Sequence, residues 1–236
     1  MSDLSNNERL KLVADALQEL NAEVVYVGGA VIQLYSSDGA SMDPMTTYDV
    51  DCVVDASTYK EYGAFEQKLF ARRFINDTSE GAPICRYLFN GEKVDFMPKV
   101  DTGIGESNRW YLKGMENKQA YVLDSEKTIF IMPLPYYLAS KLDALHSRGG
   151  EDYRGEKDFE DIVFILNSCT HLAEELRATV DMEVCNYLYS EFAAMLRRLN
   201  IREEIESSIL EDNRTDVVIR RIEEVVCCLE QVLRSH

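Results

Sequence analysis

Zinc has little to hold it in this chain. The only histidines are His146, His171 and His236, at no metal-ligand spacing, and the six cysteines, Cys52, Cys85, Cys169, Cys185, Cys227 and Cys228, form no C-x-x-C pair. This scarcity speaks against zinc chemistry and histidine-triad catalysis, and the cysteines, several of them inside apolar runs, read as buried reduced thiols rather than disulfides. No apolar run approaches the roughly 20 residues that a membrane-spanning helix needs. Residues 1–8, Met-Ser-Asp-Leu-Ser-Asn-Asn-Glu, have neither the basic nor the apolar region of a targeting signal. A cytoplasmic protein with no membrane partner is expected.

Positive charge is scarce too: 25 Lys plus Arg against 42 Asp plus Glu give a formal net charge of −17. Nucleic-acid binding relies on neutralising phosphates with Lys and Arg, so the balance counts against broad RNA or DNA affinity, and no DNA partner is expected. The cations present concentrate mid-chain, at Arg72, Arg73, Arg86, Lys93, Lys99 and Arg109. They read either as a local basic patch or as solvated surface, the latter for Arg72 and Arg73. With 236 residues, 46% of them apolar, the chain can bury the core of one large or two small domains.

Apolar positions Leu10, Val13, Ala14, Leu17 and Leu20 predict a helix over residues 5–20 with Ser5 as N-cap. Val24–Val27 predicts a strand that Gly28-Gly29 breaks, and Ala30–Tyr35 a helix after it. Residues 36–47, with Gly39, Ser41, Asp43 and Pro44, have loop composition and stand as a cover over a site or as a plain connection. A helix is predicted over 57–74 with Ser57 near its start. A hairpin over 84–97 turns at Asn90-Gly91, the dipeptide suited to two positive φ angles, and Pro98 ends its second strand. Two short strands follow in 120–132. From Pro133 the pattern is helical, over Leu134–Ser147, Lys157–Asn167, Leu172–Leu199 and Val217–Leu233. The expected fold class is α/β (α+β): a mixed-sheet head, residues 1–132, followed by a C-terminal helical bundle, residues 133–236.

The residues that carry chemistry are acidic. In Thr47-Tyr-Asp-Val-Asp-Cys-Val-Val54 a strand projects Asp49 and Asp51 from one face and Val50 and Cys52 from the other. Asp95, in Lys93-Val-Asp-Phe-Met97, offers a third carboxylate from a neighbouring strand. Hard divalent cations such as Mg2+ or Mn2+ take carboxylate oxygens completed by substrate phosphates and water, and a pair of metals held this way can activate an attacking oxygen and stabilise a leaving pyrophosphate in an in-line displacement. The plainer reading is that Asp-x-Asp arises by chance in so acidic a chain.

At Gly28-Gly29, Asp49-x-Asp51 and Asp95 the chain resembles the polymerase-β-like nucleotidyltransferase superfamily. Pro133-Leu-Pro-Tyr-Tyr-Leu-Ala-Ser-Lys-Leu-Asp-Ala-Leu-His-Ser-Arg148 and Glu156-Lys-Asp-Phe-Glu-Asp-Ile162 are similar to segments of its AbiEii-like branch, which includes toxins of abortive-infection and toxin–antitoxin systems. The likeness spans residues 24–166. It implies a nucleotidyltransferase head in which Gly28 and Gly29 admit an NTP, with its phosphates at the start of the next helix. Asp49 and Asp51 would be metal ligands, and Asp95 a third ligand or a general base. Lys141 would reach the triphosphate, Asp158 would belong to the site, Asp161 would orient Asp158 or Lys141, and Arg148 and Lys157 would be further phosphate contacts. Two departures stand out: the turn reads Gly-Gly-Ala where many superfamily members have Gly-Ser, and Met45-Thr-Thr-Tyr48 replaces a basic residue common in the branch. The implied function is Mg2+- or Mn2+-dependent transfer of NMP to a hydroxyl of RNA, protein or a small molecule, with an antitoxin protein as partner. The alternative is a catalytically silent nucleotide- or partner-binding module.

Overall fold

Ser5 and Glu8 open the first helix, α1 (Asn6–Leu17), with a reciprocal capping box: the Glu8 amide donates to Ser5 Oγ at 3.3 Å and the Ser5 amide to Glu8 Oε2 at 2.8 Å. A computed structural model describes residues 4–38, 46–105, 107–124, 127–209 and 214–235. Most of the loop expected over 36–47, with Gly39, Ser41, Asp43, Pro44 and Met45, lies outside the described residues, as does His236. The chain forms two units, Met1–Val31 with Met45–Pro133 and Ile32–Pro44 with Leu134–His236.

Among the described residues the first unit holds a seven-stranded mixed sheet of β1 (Val24–Val27), β2 (Asp49–Val54), β3 (Ile75–Asn76), β4 (Arg86–Phe89), β5 (Glu92–Pro98), β6 (Gln119–Asp124) and β7 (Lys127–Ile131). The spatial order is β3-β4-β5-β2-β1-β7-β6. β2 runs parallel to β5 and antiparallel to β1, while β4 and β5 form the predicted hairpin. Its turn residues, Asn90 and Gly91, have φ of +50° and +85°, as a two-residue turn matched to strand twist requires. β1 is buried along its whole length, consistent with an interior strand covered on both faces.

Pairing sets the faces. Asp51 lies beside Asp95, and Cys52 beside Phe96. On the Phe96 face the core closes: Phe65 of α2 (Tyr59–Ala71), Phe74 and Tyr87 surround Phe96 with ring centroids 5.5–5.7 Å apart. Tyr62 donates to the Phe96 carbonyl at 2.9 Å. The opposite face carries Asp49, Asp51 and Asp95. Helix α2 is capped by Thr58, one residue beyond Ser57, through a bond from the Glu61 amide. A short helix, α3 (Tyr111–Glu116), precedes β6. The helix expected over Ala30–Tyr35 is a 3-10 helix over Gly29–Tyr35, the tighter coil usual for so short a piece.

The second unit is helical, as predicted: α4 (Leu134–Arg148), α5 (Lys157–Ser168), α6 (Leu172–Ala178), α7 (Met182–Met195), α8 (Ile201–Ser208) and α9 (Thr215–Arg234). Val218, Ile222, Val225 and Leu229 form the buried stripe of α9, which packs against α5, α6 and α7. The single helix expected over Leu172–Leu199 is two. Apolar spacing continues across the break, but Asp181 accepts from the Glu183 amide and so starts α7 as an N-cap, while α6 ends at Ala178. Residues 36–38 belong to this unit: the Ser37 and Asp38 amides donate to the Ser168 carbonyl, and Arg214 pairs with Asp38 at 2.9 Å.

Candidate functional site

Strand register brings the three predicted carboxylates together. Asp49, Asp51 and Asp95 each offer an oxygen, and these oxygens lie within 4.8 Å of one another. The β2–β5 pairing places Asp51 beside Asp95, and the two-residue period puts Asp49 on the same face. Asp95 is buried, at 8% exposure, whereas Asp49 and Asp51 are half-buried. Hard oxygen donors from adjacent strands suit a hard divalent cation.

Gly28 ends β1 against this cluster. Its φ is +69°, and a Cβ built there would lie 1.9 Å from Asp51 Oδ2 and 2.7 Å from its Cγ. Only glycine lets the turn and the Asp51 carboxylate share that space. Gly29 begins the 3-10 helix.

A cation from the protein itself reaches the triad. Arg86 donates through Nε to Asp95 Oδ1 and through Nη2 to Asp95 Oδ2, both at 2.7 Å, and through Nη2 to Asp49 Oδ2 at 3.1 Å. Hydrogen bonding to Asp95, reinforced by the charges of Asp95, Asp49 and Asp51, outweighs burial and holds the guanidinium above its ordinary pKa. Thr47 Oγ1 donates to Asp49 Oδ1 at 2.7 Å. Thr47 is itself fixed by α1: its amide donates to Asn6 Oδ1, and its carbonyl accepts from Arg9 Nη1 at 2.8 Å. Arg9 is buried and pairs with Glu92 at 2.7 Å.

Lys141, Asp158, Asp161 and Arg148 come together in the second unit. Lys141 Nζ lies 2.5 Å from Asp161 Oδ2 and 3.2 Å from Asp158 Oδ1, and Arg148 Nη2 lies 2.8 Å from Asp158 Oδ2. Burial opposes the Lys141 ammonium, but Asp161, Tyr137 and Asp158 together raise its pKa well above the ordinary value. Asp158 and Asp161, three apart on α5, share the face that meets Lys141. Lys157 is exposed at the start of α5.

No family model matches the chain, and no curated protein matches it. Two solved structures from Helicobacter pylori are similar to it in outline. One, provisionally named a nucleotidyltransferase, aligns over 100% of this chain and 97% of its own at 12% identity and a TM-score of 0.46. The other, JHP933, aligns over 98% of this chain and 92% of its own at 10% identity and a TM-score of 0.42. Likeness at this level assigns no activity.

The sequence reading missed Arg86, Arg9 and Thr47 as parts of the triad's setting. A signal for Arg86 existed: the two-residue Asn90-Gly91 turn pairs Phe89 with Glu92 and therefore Arg86 with Asp95. The buried-thiol reading holds for Cys52, Cys85, Cys169, Cys185 and Cys228, whereas Cys227 is exposed; all six are free. Burial, with Asp95 adding to it, pushes the Cys85 thiol up to about 12, which disfavours a nucleophilic thiolate there. Among the described residues no helix is long and apolar enough to cross a membrane.

Proposed function

We propose that the protein is a metal-dependent nucleotidyltransferase that transfers NMP from an NTP to a hydroxyl acceptor and releases pyrophosphate. The convergence of Asp49, Asp51 and Asp95 beside Gly28 carries the reading. An acceptor oxygen bonds to the α-phosphorus while the bond from that phosphorus to the bridging oxygen breaks. Asp49, Asp51 and Asp95 would hold Mg2+ or Mn2+, which when bound supplies positive charge to the transferring phosphoryl group. Gly28 and Gly29 let backbone approach the nucleotide. Asp95, held through both oxygens by Arg86, would serve as the third ligand or as the acceptor of the hydroxyl proton, on lone pairs that the guanidinium leaves open. In this reading residues 1–132 form the catalytic head, and Lys141, Arg148, Asp158, Asp161 and Lys157 of the helical domain, 133–236, serve nucleotide binding. The resemblance to AbiEii-like enzymes favours a toxin-type enzyme acting on RNA with a cognate antitoxin, while the net charge of −17 keeps protein and small-molecule acceptors in view.

A silent nucleotide-binding module is the second reading, favoured by the ion pairs that Arg86 makes within the triad. One experiment separates the two: label transfer and pyrophosphate release from each α-labelled NTP with Mg2+ or Mn2+, in the presence of total RNA and cell extract. Asp51→Ala should abolish turnover and leave the melting transition in place. Full activity in Asp51→Ala sinks the enzymatic assignment, and nucleotide binding without metal-dependent labelling in the wild type favours the silent module.

A further inference from the structure

We propose that Lys93 binds a phosphate carried by the acceptor, next to the hydroxyl that reacts. The proposal rests on the nucleotidyl-transfer reading and names the acceptor's chemistry. Register puts Lys93 at the triad's edge: it is the partner of Asp49 in the β2–β5 pairing and, two residues before Asp95, shares the triad's face. That face opens here. Along β5 it passes from Met97, 7% exposed, and Asp95, 8% exposed, to Lys93, which is exposed. Arg86 shares the face but is held by Asp95 and Asp49, and the second oxygen of Asp49 takes Thr47. Among the described residues Lys93 makes no ion pair, and its charge adds to the Ser79 hydrogen bonds that lower the pKa of Asp77. The reaction then fixes which substrate Lys93 meets. In-line displacement sets the attacking oxygen and the leaving pyrophosphate on opposite sides of the α-phosphorus. Gly28 follows β1, on one side of β2 and against Asp51, while β5 lies on the other side. With the triphosphate at Gly28 and Gly29, the acceptor arrives over β5, where Lys93 stands. A phosphate-bearing acceptor meets three carboxylates there and a chain of net charge −17, so a cation at the mouth of the site is what admits it. Lysine supplies a point charge on a flexible stem, which needs no fixed geometry in its partner.

The test titrates the full chain into a labelled short single-stranded oligoribonucleotide, read by fluorescence anisotropy at rising KCl, and in parallel into a fluorescent NTP analogue with Mn2+. Lys93→Gln should bind the oligonucleotide several-fold more weakly, with a salt slope shallower by about 0.7, the share of one phosphate contact on a single strand. Its affinity for the NTP analogue should be unchanged, and Lys93→Arg should match the wild type in both titrations. An oligonucleotide whose last linkage is a neutral methylphosphonate should bind the wild type and Lys93→Gln alike, which ties the loss to the phosphate beside the terminal hydroxyl. If the wild type binds no oligonucleotide, glycerol 3-phosphate replaces it as the smaller phosphorylated alcohol, followed by calorimetry, with the same loss expected in Lys93→Gln. Equal binding by the wild type and Lys93→Gln, a loss confined to the NTP analogue, or no binding of either acceptor probe overturns the proposal and returns Lys93 to solvated surface. That failure leaves nucleotidyl transfer standing where Asp51-dependent labelling is seen, whereas a wild type that labels nothing removes the reading and the proposal with it.

Discussion

Gly28→Ala tests whether the turn after β1 exists to make room for Asp51. Two costs are separable. The first is backbone: at φ +69° an alanine adopts the left-handed conformation, which costs roughly 1–2 kcal/mol. The second is contact. The new Cβ would fall 1.9 Å from Asp51 Oδ2, 2.7 Å from Cγ and 2.9 Å from Cβ, so the carboxylate must swing away or the turn must shift. Overpacking of this kind costs about 1–3 kcal/mol. Gly91→Ala supplies the internal control, because Gly91 has φ +85° but nothing within 4 Å of the place an added methyl would take, leaving backbone strain alone.

Urea unfolding followed by circular dichroism should therefore show Gly28→Ala to be less stable than Gly91→Ala by roughly 1–3 kcal/mol, the contact cost. A double-mutant cycle with Asp51→Ala should return most of that difference as a coupling energy, since residues in direct contact do not add independently. Some will remain, because alanine keeps the Cβ of residue 51. Gly28→Ala should also lose Mn2+ binding, while Gly91→Ala keeps it. Equal destabilisation by the two glycine substitutions, or additive behaviour in the cycle, would refute the argument.

Glu204 is 1% exposed and accepts from Arg198 Nε at 2.9 Å. Arg198 hydrogen bonding lowers its pKa from the ordinary 4.5, so its stabilisation is fully present above pH 4.5 and is lost as pH falls through the lowered folded value. Glu204→Gln should cost about 1–3 kcal/mol at neutral pH, at the modest end because Arg198 is 26% exposed, and should flatten the acid side of the stability curve; an unchanged acid limb in urea titrations refutes it. Iodoacetamide on the native protein should label Cys227 and spare the five buried thiols, as read by peptide mass spectrometry. Fast labelling of Cys52 or Cys85 would contradict their burial.

What could be read from the sequence was local. Ser5 announced the first cap, Asn90-Gly91 announced the hairpin, and the alternation in β2 put Asp49 and Asp51 on one face. Each signal acts within a few residues, where backbone geometry alone decides. The break between α6 and α7 escaped because apolar spacing runs through it, and only the Asp181 side chain, bonding to a nearby amide, marks the stop. The anchoring of Thr47 was out of reach: Arg9 meets Glu92 across 83 residues, and neither position carries a local pattern that names the other.

Arg86 lies between these cases, and it changes how the triad is read. As one of the mid-chain cations it stood open to a basic-patch or a solvated-surface reading, yet the same turn that places Asp95 also places Arg86 across from it. Counting four residues back from Asn90 reaches Arg86, and four on from Gly91 reaches Asp95. A carboxylate cluster found by periodicity thus comes with its counter-charge already specified by register, through a turn four residues away from Arg86. Periodicity decides which side chains share a face; pairing decides which charges meet there, and the chemistry depends on the second.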